Sequence, residues 1–167
     1  NIDDTWGKGD IQLSAIKLQY PHIYNDKTDL LFYFIAKAFE LSRDIVGFIV
    51  SRAFLAAYKA DKLRGFLASK RAVSEIIDFQ NFQVFAGVGI TTCILRLEKK
   101  PVGQNFDVFK LLPPVMPDQS LKTTLKEKGV FEYHAFSRAA LSAEVWTFAS
   151  PEQNVLNSKI DAVGESL

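Results

Sequence analysis

The 167-residue sequence is poor in the residues that carry metal and redox chemistry: it has one cysteine, Cys93, and two histidines, His22 and His134. A single thiol excludes an intramolecular disulfide and any multi-thiolate metal site. The two histidines lack partners at metal-ligand spacing, so each reads as a surface or hydrogen-bonded side chain. An excess of one charge is also missing. Twenty Lys and Arg against nineteen Asp and Glu leave a net charge of +1. That excludes a uniformly basic nucleic-acid binder and leaves a local basic face open. No apolar run approaches the roughly 18 residues of a membrane span. The first residues, Asn1-Ile2-Asp3-Asp4, offer neither a basic n-region nor an apolar h-region, so no signal peptide is visible and a cytoplasmic protein is expected. The only methionine is Met116, and the sequence is expected to be a cut or processed piece of something longer.

Several catalytic signatures are absent. There is no G-x-x-x-x-G-K-[ST] loop, no G-x-S-x-G elbow, no H-E-x-x-H and no C-x-x-C. Gly87-Val88-Gly89 supplies a bare G-x-G, but it does not sit between a strand and a helix start as a dinucleotide loop must.

What is present is an ordinary globular composition, 48% apolar and 23% charged, with an unusual 14 Phe. So much Phe implies a substantial core or a large surface that is normally hidden. The order of apolar residues predicts an α/β fold. Residues 11–18 suit a short helix. Thr28 is an expected N-cap for a helix carrying Leu30, Leu31, Phe34, Ile35, Ala38, Phe39 and Leu41 at three- and four-residue spacing. The continuous run at 45–50 reads as a central parallel strand. A helix over 56–69 follows, with Tyr58, Leu63, Phe66 and Leu67 inward. Strands over 73–79 and 90–97 are joined by a short loop and are expected to pair antiparallel. Cys93 falls in the second of these as a small buried apolar residue. Beyond residue 100 the text alternates at 106–111, breaks at Pro113-Pro114 and Pro117, allows a short helix over 120–128 and a strand over 131–136, and leads into a helix after Pro151.

Three features invite a functional reading. Arg52, Lys59, Lys62, Arg64, Lys70 and Arg71 face only Asp61 within their span. They are either a solvated helix face or a contact with an anionic partner such as nucleic-acid phosphates. Phe79, Phe82 and Phe85 run into a glycine-containing turn; the first two read as core, and Phe85 as either core or a ring facing a ligand. Trp146, with Phe148, reads as an anchor for the C-terminal helix.

Four stretches in order resemble the second half of an N6-adenine DNA methyltransferase of the Eco57I-like and TaqI-like restriction–modification enzymes of bacteria. DLLFYFIAKAF at 29–39 is similar to the family's helix after the catalytic loop, D-L-Y-x-x-F-x-x-K-A-x. IVGFIVSRAFL at 45–55 is similar to G-x-L-x-F-I-x-P-x-x-[FW]-L, with Ser51 where the family often has Pro. KLRGFL at 62–67 and SEIIDF at 74–79 resemble K-L-R-x-[FY]-L and I-x-E-I-I-D-F. VFAGVGITTCIL at 84–95 resembles V-F-x-x-x-x-x-x-[ST]-x-I-L. The resemblance covers residues 20–100, and the text from Trp146 to Ile160 resembles the link toward a target-recognition domain.

The resemblance implies a partial Rossmann-like sheet with an antiparallel last strand over residues 1–100, followed by an α+β extension over 101–167. It implies methyl transfer from S-adenosylmethionine to an adenine flipped out of double-stranded DNA. It puts Phe85 at the position that stacks on the flipped base and Phe34 at the position beside the cofactor's adenine. The basic cluster would then line the DNA side. The sequence contains neither an N-P-P-Y loop nor a glycine-rich D-P-A-C-G-S-G loop. The piece is therefore expected to bind the cofactor weakly or not at all, and to be inactive alone. Half a sheet is expected to leave an exposed edge, and with it self-association or a covering partner. The competing reading is a non-catalytic DNA- or protein-binding module derived from a methyltransferase.

Overall fold

The computed structural model describes residues 10–25, 28–85, 87–112, 130–149 and 159. The helix α1 (Ile11–Gln19) opens at Asp10, whose carboxylate accepts from the Gln12 and Leu13 amides. The helix α2 (Leu30–Leu41) is capped by Asp29 rather than by Thr28. The Asp29 carboxylate accepts from the Leu31 amide at 2.9 Å, while the Thr28 hydroxyl is tied back into the preceding turn at Asn25. The expected helix over 56–69 is shorter than its apolar pattern suggests. A 3-10 turn at Tyr58–Ala60 precedes α3 (Asp61–Ser69), and Tyr58 is 80% exposed rather than inward. Leu63 and Leu67 are fully buried as expected. The helix ends in a Schellman arrangement: the Arg71 amide donates to Ala68 O and the Ala72 amide to Leu67 O. Arg71 occupies the left-handed position there, with φ of 51°, where glycine is the usual residue.

Five strands form one sheet, β1 (Ile45–Ser51), β2 (Val73–Asp78), β3 (Thr92–Glu98), β4 (Asn105–Leu111) and β5 (Phe131–Ser137), in the order β1-β3-β2-β4-β5. β3 runs antiparallel to both β1 and β2, β2 pairs parallel with β4, and β4 pairs antiparallel with β5. The expected antiparallel strand is therefore present, and it inserts between two strands that run the same way. This corrects the reading of 45–50 as a central parallel strand. β1 has one described neighbour, β3, and that pairing is antiparallel. Its outward positions Ile45 and Ile49 are 54% and 46% exposed, so a run apolar at nearly every position marks a strand whose second side is not covered by the described residues.

Side-chain alternation and register assign the two faces. Val50, Cys93, Leu95, Leu97, Ile76, Phe106 and Val108 lie on one face and are buried in a core shared with Phe32, Ile35, Phe39, Leu63 and Leu67 of the helices. The opposite face carries a row that crosses all five strands in register: Ile49, Ile94, Ile77, Phe109 and Tyr133. The segment after β5 returns to the core. Trp146 is 5% exposed, donates from its indole to Ser142 O at 2.8 Å, and meets Phe54 edge-on. Its backbone amide bonds Leu55 O. Trp146 thus anchors the stretch after β5. The helices expected over 120–128 and after Pro151 lie outside the described residues. No described helix is long and apolar enough to cross a membrane.

Candidate functional site

In α/β sheets, ligand sites form at the carboxyl ends of the parallel strands, where loops diverge. A pocket of about 500 Å³ lies there, lined by Arg52 just after β1, Asp78 and Gln80 at the end of β2, Thr91 just before β3, Lys110 near the end of β4, and the stretch Trp146 to Ala149. Its floor is polar because the core-facing register ends in Asp78 on β2 and Lys110 on β4, which are partners across the parallel pair.

Asp78 is almost fully buried, and its charge is fully engaged. Arg52 grips it bidentately, Nε to Oδ1 at 2.9 Å and Nη2 to Oδ2 at 2.8 Å. The Gln80 amide adds a bond to Oδ1 at 2.8 Å, and Gln80 itself takes a φ of 54° to make it. The pair spans the end of β3, whose leading residue Thr91 accepts from the Arg52 amide at 3.1 Å. Arg52 and Asp78 thus clamp the ends of β1 and β2 across the antiparallel strand between them. Lys110 is different. Burial pushes its pKa below the usual 10.5, and the nearest opposing charges are Glu132 and Asp78. Asp78 is committed to Arg52, and Glu132 lies across the β4–β5 pair. Among the described residues the Lys110 ammonium makes no ion pair and no side-chain hydrogen bond.

The residues singled out by sequence fall into separate places. Phe85 stands 46% exposed in the loop from β2 to β3. The two feet of that loop, Gln80 and Thr91, line the pocket. Gly87 turns the chain just after Phe85 with φ of 75°. Phe34 is 64% exposed on α2, on a stripe with the exposed Leu30 and Leu41. The basic cluster does not form one surface. Arg64 is 2% exposed and spends its guanidinium on the backbone carbonyls of Phe54, Ala57 and Ala143, so it is an internal brace and not a DNA contact. Arg52 belongs to the pocket. Arg71, bonded to Gln104 at 2.7 Å, sits just before β2, whose six residues separate it from the pocket end by roughly 20 Å. Lys62 is held on the Tyr24 carbonyl, Lys59 lies over the ring of Tyr58, and Lys70 ends α3. Sequence reading missed Asp78, Gln80 and Lys110. The one local signal was a carboxylate closing a strand directly after two isoleucines, in Ile76-Ile77-Asp78. Among the described residues no group of three or more His, Cys, Asp or Glu is placed to hold a metal.

A mixed sheet with an antiparallel strand set between two that run the same way, and a polar pocket at their carboxyl ends, is a Rossmann-like α/β arrangement. Residues 4–85 match the model of the Eco57I restriction-modification methylase family. The type II restriction enzyme and methyltransferase RM.Eco57I of Escherichia coli is 25% identical over 158 residues, which is 92% of this chain and 15% of that protein. The crystal structure of the type IIG restriction endonuclease BpuSI superposes with a TM-score of 0.52 at 17% identity, over 75% of this chain and 16% of that one. The chain thus spans about one-sixth of the length of either protein.

The cofactor that such chemistry implies finds only part of a site here. Phe34 offers one ring face, and Leu30 and Leu41 on its stripe offer apolar surface. The charged side chain on that stripe, Lys37, is a cation lying by the Tyr20 ring and offers no acceptor for a ribose hydroxyl or an ammonium end. The described residues therefore do not fit as a complete S-adenosylmethionine site.

Proposed function

We propose that this chain is part of a DNA adenine-N6 methyltransferase of a restriction–modification system, an enzyme that transfers a methyl group from S-adenosylmethionine to an adenine turned out of the duplex. The observation that carries the reading is the position of Phe85. A large apolar ring that is half exposed, on a loop footed in a polar pocket, has a surface suited to stack on a planar base. In this reading Phe85 is one wall of the base site and Phe34 one wall beside the cofactor's adenine. Arg52, with whichever of Lys59, Lys62, Lys70 and Arg71 reach the duplex, meets phosphates. The groups that hold the cofactor's polar end and activate the amino group come from outside this sequence. The chain alone is accordingly inactive, and the open edge of β1 is covered by the rest of the sheet or by a second copy.

The test is Phe85→Ala in the complete enzyme. Base stacking is worth roughly 1–3 kcal/mol, so methyl transfer should fall roughly 5- to 150-fold. The exposed ring makes little contribution to the core, so the thermal midpoint should hold. Unchanged transfer refutes the stacking role, and a collapsed midpoint returns Phe85 to a structural one.

A further inference from the structure

The pocket at the carboxyl end of the sheet contains a cation, Lys110, that makes no ion pair among the described residues. Lys110 stands opposite Asp78 in register, but Asp78 already accepts three bonds, two from Arg52 and one from the Gln80 amide. The other nearby carboxylate, Glu132, stands opposite Lys110 across the β4–β5 pair without forming an ion pair with it. An ammonium taken partly out of water, with no carboxylate of the described residues at ion-pair distance, costs free energy that an incoming anion would offset. The depressed pKa of Lys110 records that cost. The Arg52 side chain is still 33% exposed on the same pocket wall after gripping Asp78. Around them, Thr91, Thr147 and Gln80 line the pocket and supply hydroxyl and amide donors.

We infer that Lys110 and Arg52 form an anion subsite that takes one phosphodiester group of the DNA strand beside the base stacked on Phe85. The assignment to DNA rests on the function proposed above; the assignment to an anion rests on the pocket alone. The geometry supports the link, because Gln80 and Thr91 are both pocket lining and the two feet of the loop bearing Phe85. A phosphate seated between them would fix the loop and its ring together. Lysine contacts phosphate as a point charge, while Arg52, anchored on Asp78, offers the still exposed part of its side chain on the same wall.

The test uses the whole chain, labelled with ¹⁵N. Inorganic phosphate is titrated first, reading the Gln80 and Thr91 amides and the Trp146 indole N–H. A short oligonucleotide carrying an unpaired adenine is titrated next over a range of salt. Lys110→Gln should weaken phosphate roughly tenfold, and Lys110→Arg should restore it, since a charge-assisted bond is lost and then replaced. Lys110→Gln should also reduce the slope of log affinity against log salt by about one for the oligonucleotide. Lys100→Gln, on an exposed residue after β3, should change neither. If Lys110→Gln does not fold, Lys110→Met keeps the length of the stem without the charge and repeats the measurement. Phosphate binding that is indifferent to Lys110 overturns the subsite, even if the oligonucleotide binds. Phosphate binding that depends on Lys110, with an unchanged salt slope or no oligonucleotide binding, overturns the DNA assignment and leaves a site for free phosphate.

Discussion

Arg64 offers the sharpest test of how this chain is held together. Sequence groups it with the basic residues that would meet DNA, while the structure buries it to 2% exposure. Its Nη1 donates to Phe54 O and Ala57 O at 2.8 Å each, and its Nε to Ala143 O at 3.0 Å. Three segments therefore converge on one guanidinium: the turn after β1, the helix α3 and, far along the chain, the stretch after β5. Ala57 O also accepts from the Ala60 amide, so its loss is partly covered. Phe54 O and Ala143 O have no other backbone donor among the described residues. Hydrogen bonds to a charged group contribute about 1.5–3 kcal/mol, and a buried carbonyl stripped of its donor costs about 1–3 kcal/mol. Arg64→Met should destabilise the chain by about 3–5 kcal/mol, discounting for non-additivity. Arg64→Lys is the decisive variant. It keeps the charge, but a single ammonium cannot bridge carbonyls that a planar fork reaches from two sides. A loss of about 2 kcal/mol follows, or roughly a 1 M fall in the urea midpoint at a slope near 2 kcal/mol/M. The assay is urea unfolding followed by far-ultraviolet circular dichroism. A Lys variant within about 0.5 kcal/mol of the parent, coupled with weaker DNA binding, would refute the brace and restore a surface role.

Two further outcomes follow from the core. Cys93 is fully buried beside Asp78, and burial followed by that carboxylate pushes its thiol up to about 12. It should resist Ellman's reagent at pH 8 until the chain unfolds, and prompt labelling would place it in an opened strand. The folded state holds this proton more tightly than the unfolded one, so the contribution is whole below the ordinary value of 9.0 and is lost as pH rises toward 12. Trp146→Ala should cost about 3–5 kcal/mol by removing the indole that packs on Phe54 and bonds Ser142 O. A loss below about 1 kcal/mol in thermal or urea unfolding would show that the stretch after β5 is a loose appendage rather than part of the core.

Much of the fold was legible because it is written locally. The helix α2 follows from its spacing, the antiparallel β2–β3 pair from the shortness of its connection, and β4 from alternation. Cys93 reads as buried from its position within a strand. The misreadings share a cause. The run at 45–50 is apolar on both faces, which periodicity cannot distinguish from a strand with two neighbours. Placing β1 at the border needs the knowledge that β3 inserts between it and β2. The basic cluster is contiguous in sequence, and the chain reverses within it, which sends Arg71 and Arg52 to opposite ends of a strand. Arg64 points inward because the turn after β1 leaves carbonyls that only a long donor can reach.

The pocket was illegible for the complementary reason. Asp78 and Lys110 are 32 positions apart and belong to no shared motif. They meet because β2 and β4 run parallel as neighbours in one register. A single-residue slip of β4 would turn Lys110 to the opposite face and put Phe109 against Asp78, burying an aromatic ring on a carboxylate clamp. The alternation of Phe106 and Val108 into the core forbids that slip, since it would also expose both of those residues. The same hydrophobic pattern that fixes the register therefore delivers the Lys110 ammonium to the pocket beside the Arg52–Asp78 pair. The chemistry of the site is a consequence of strand packing, which is why its residues are found by register and not by spacing.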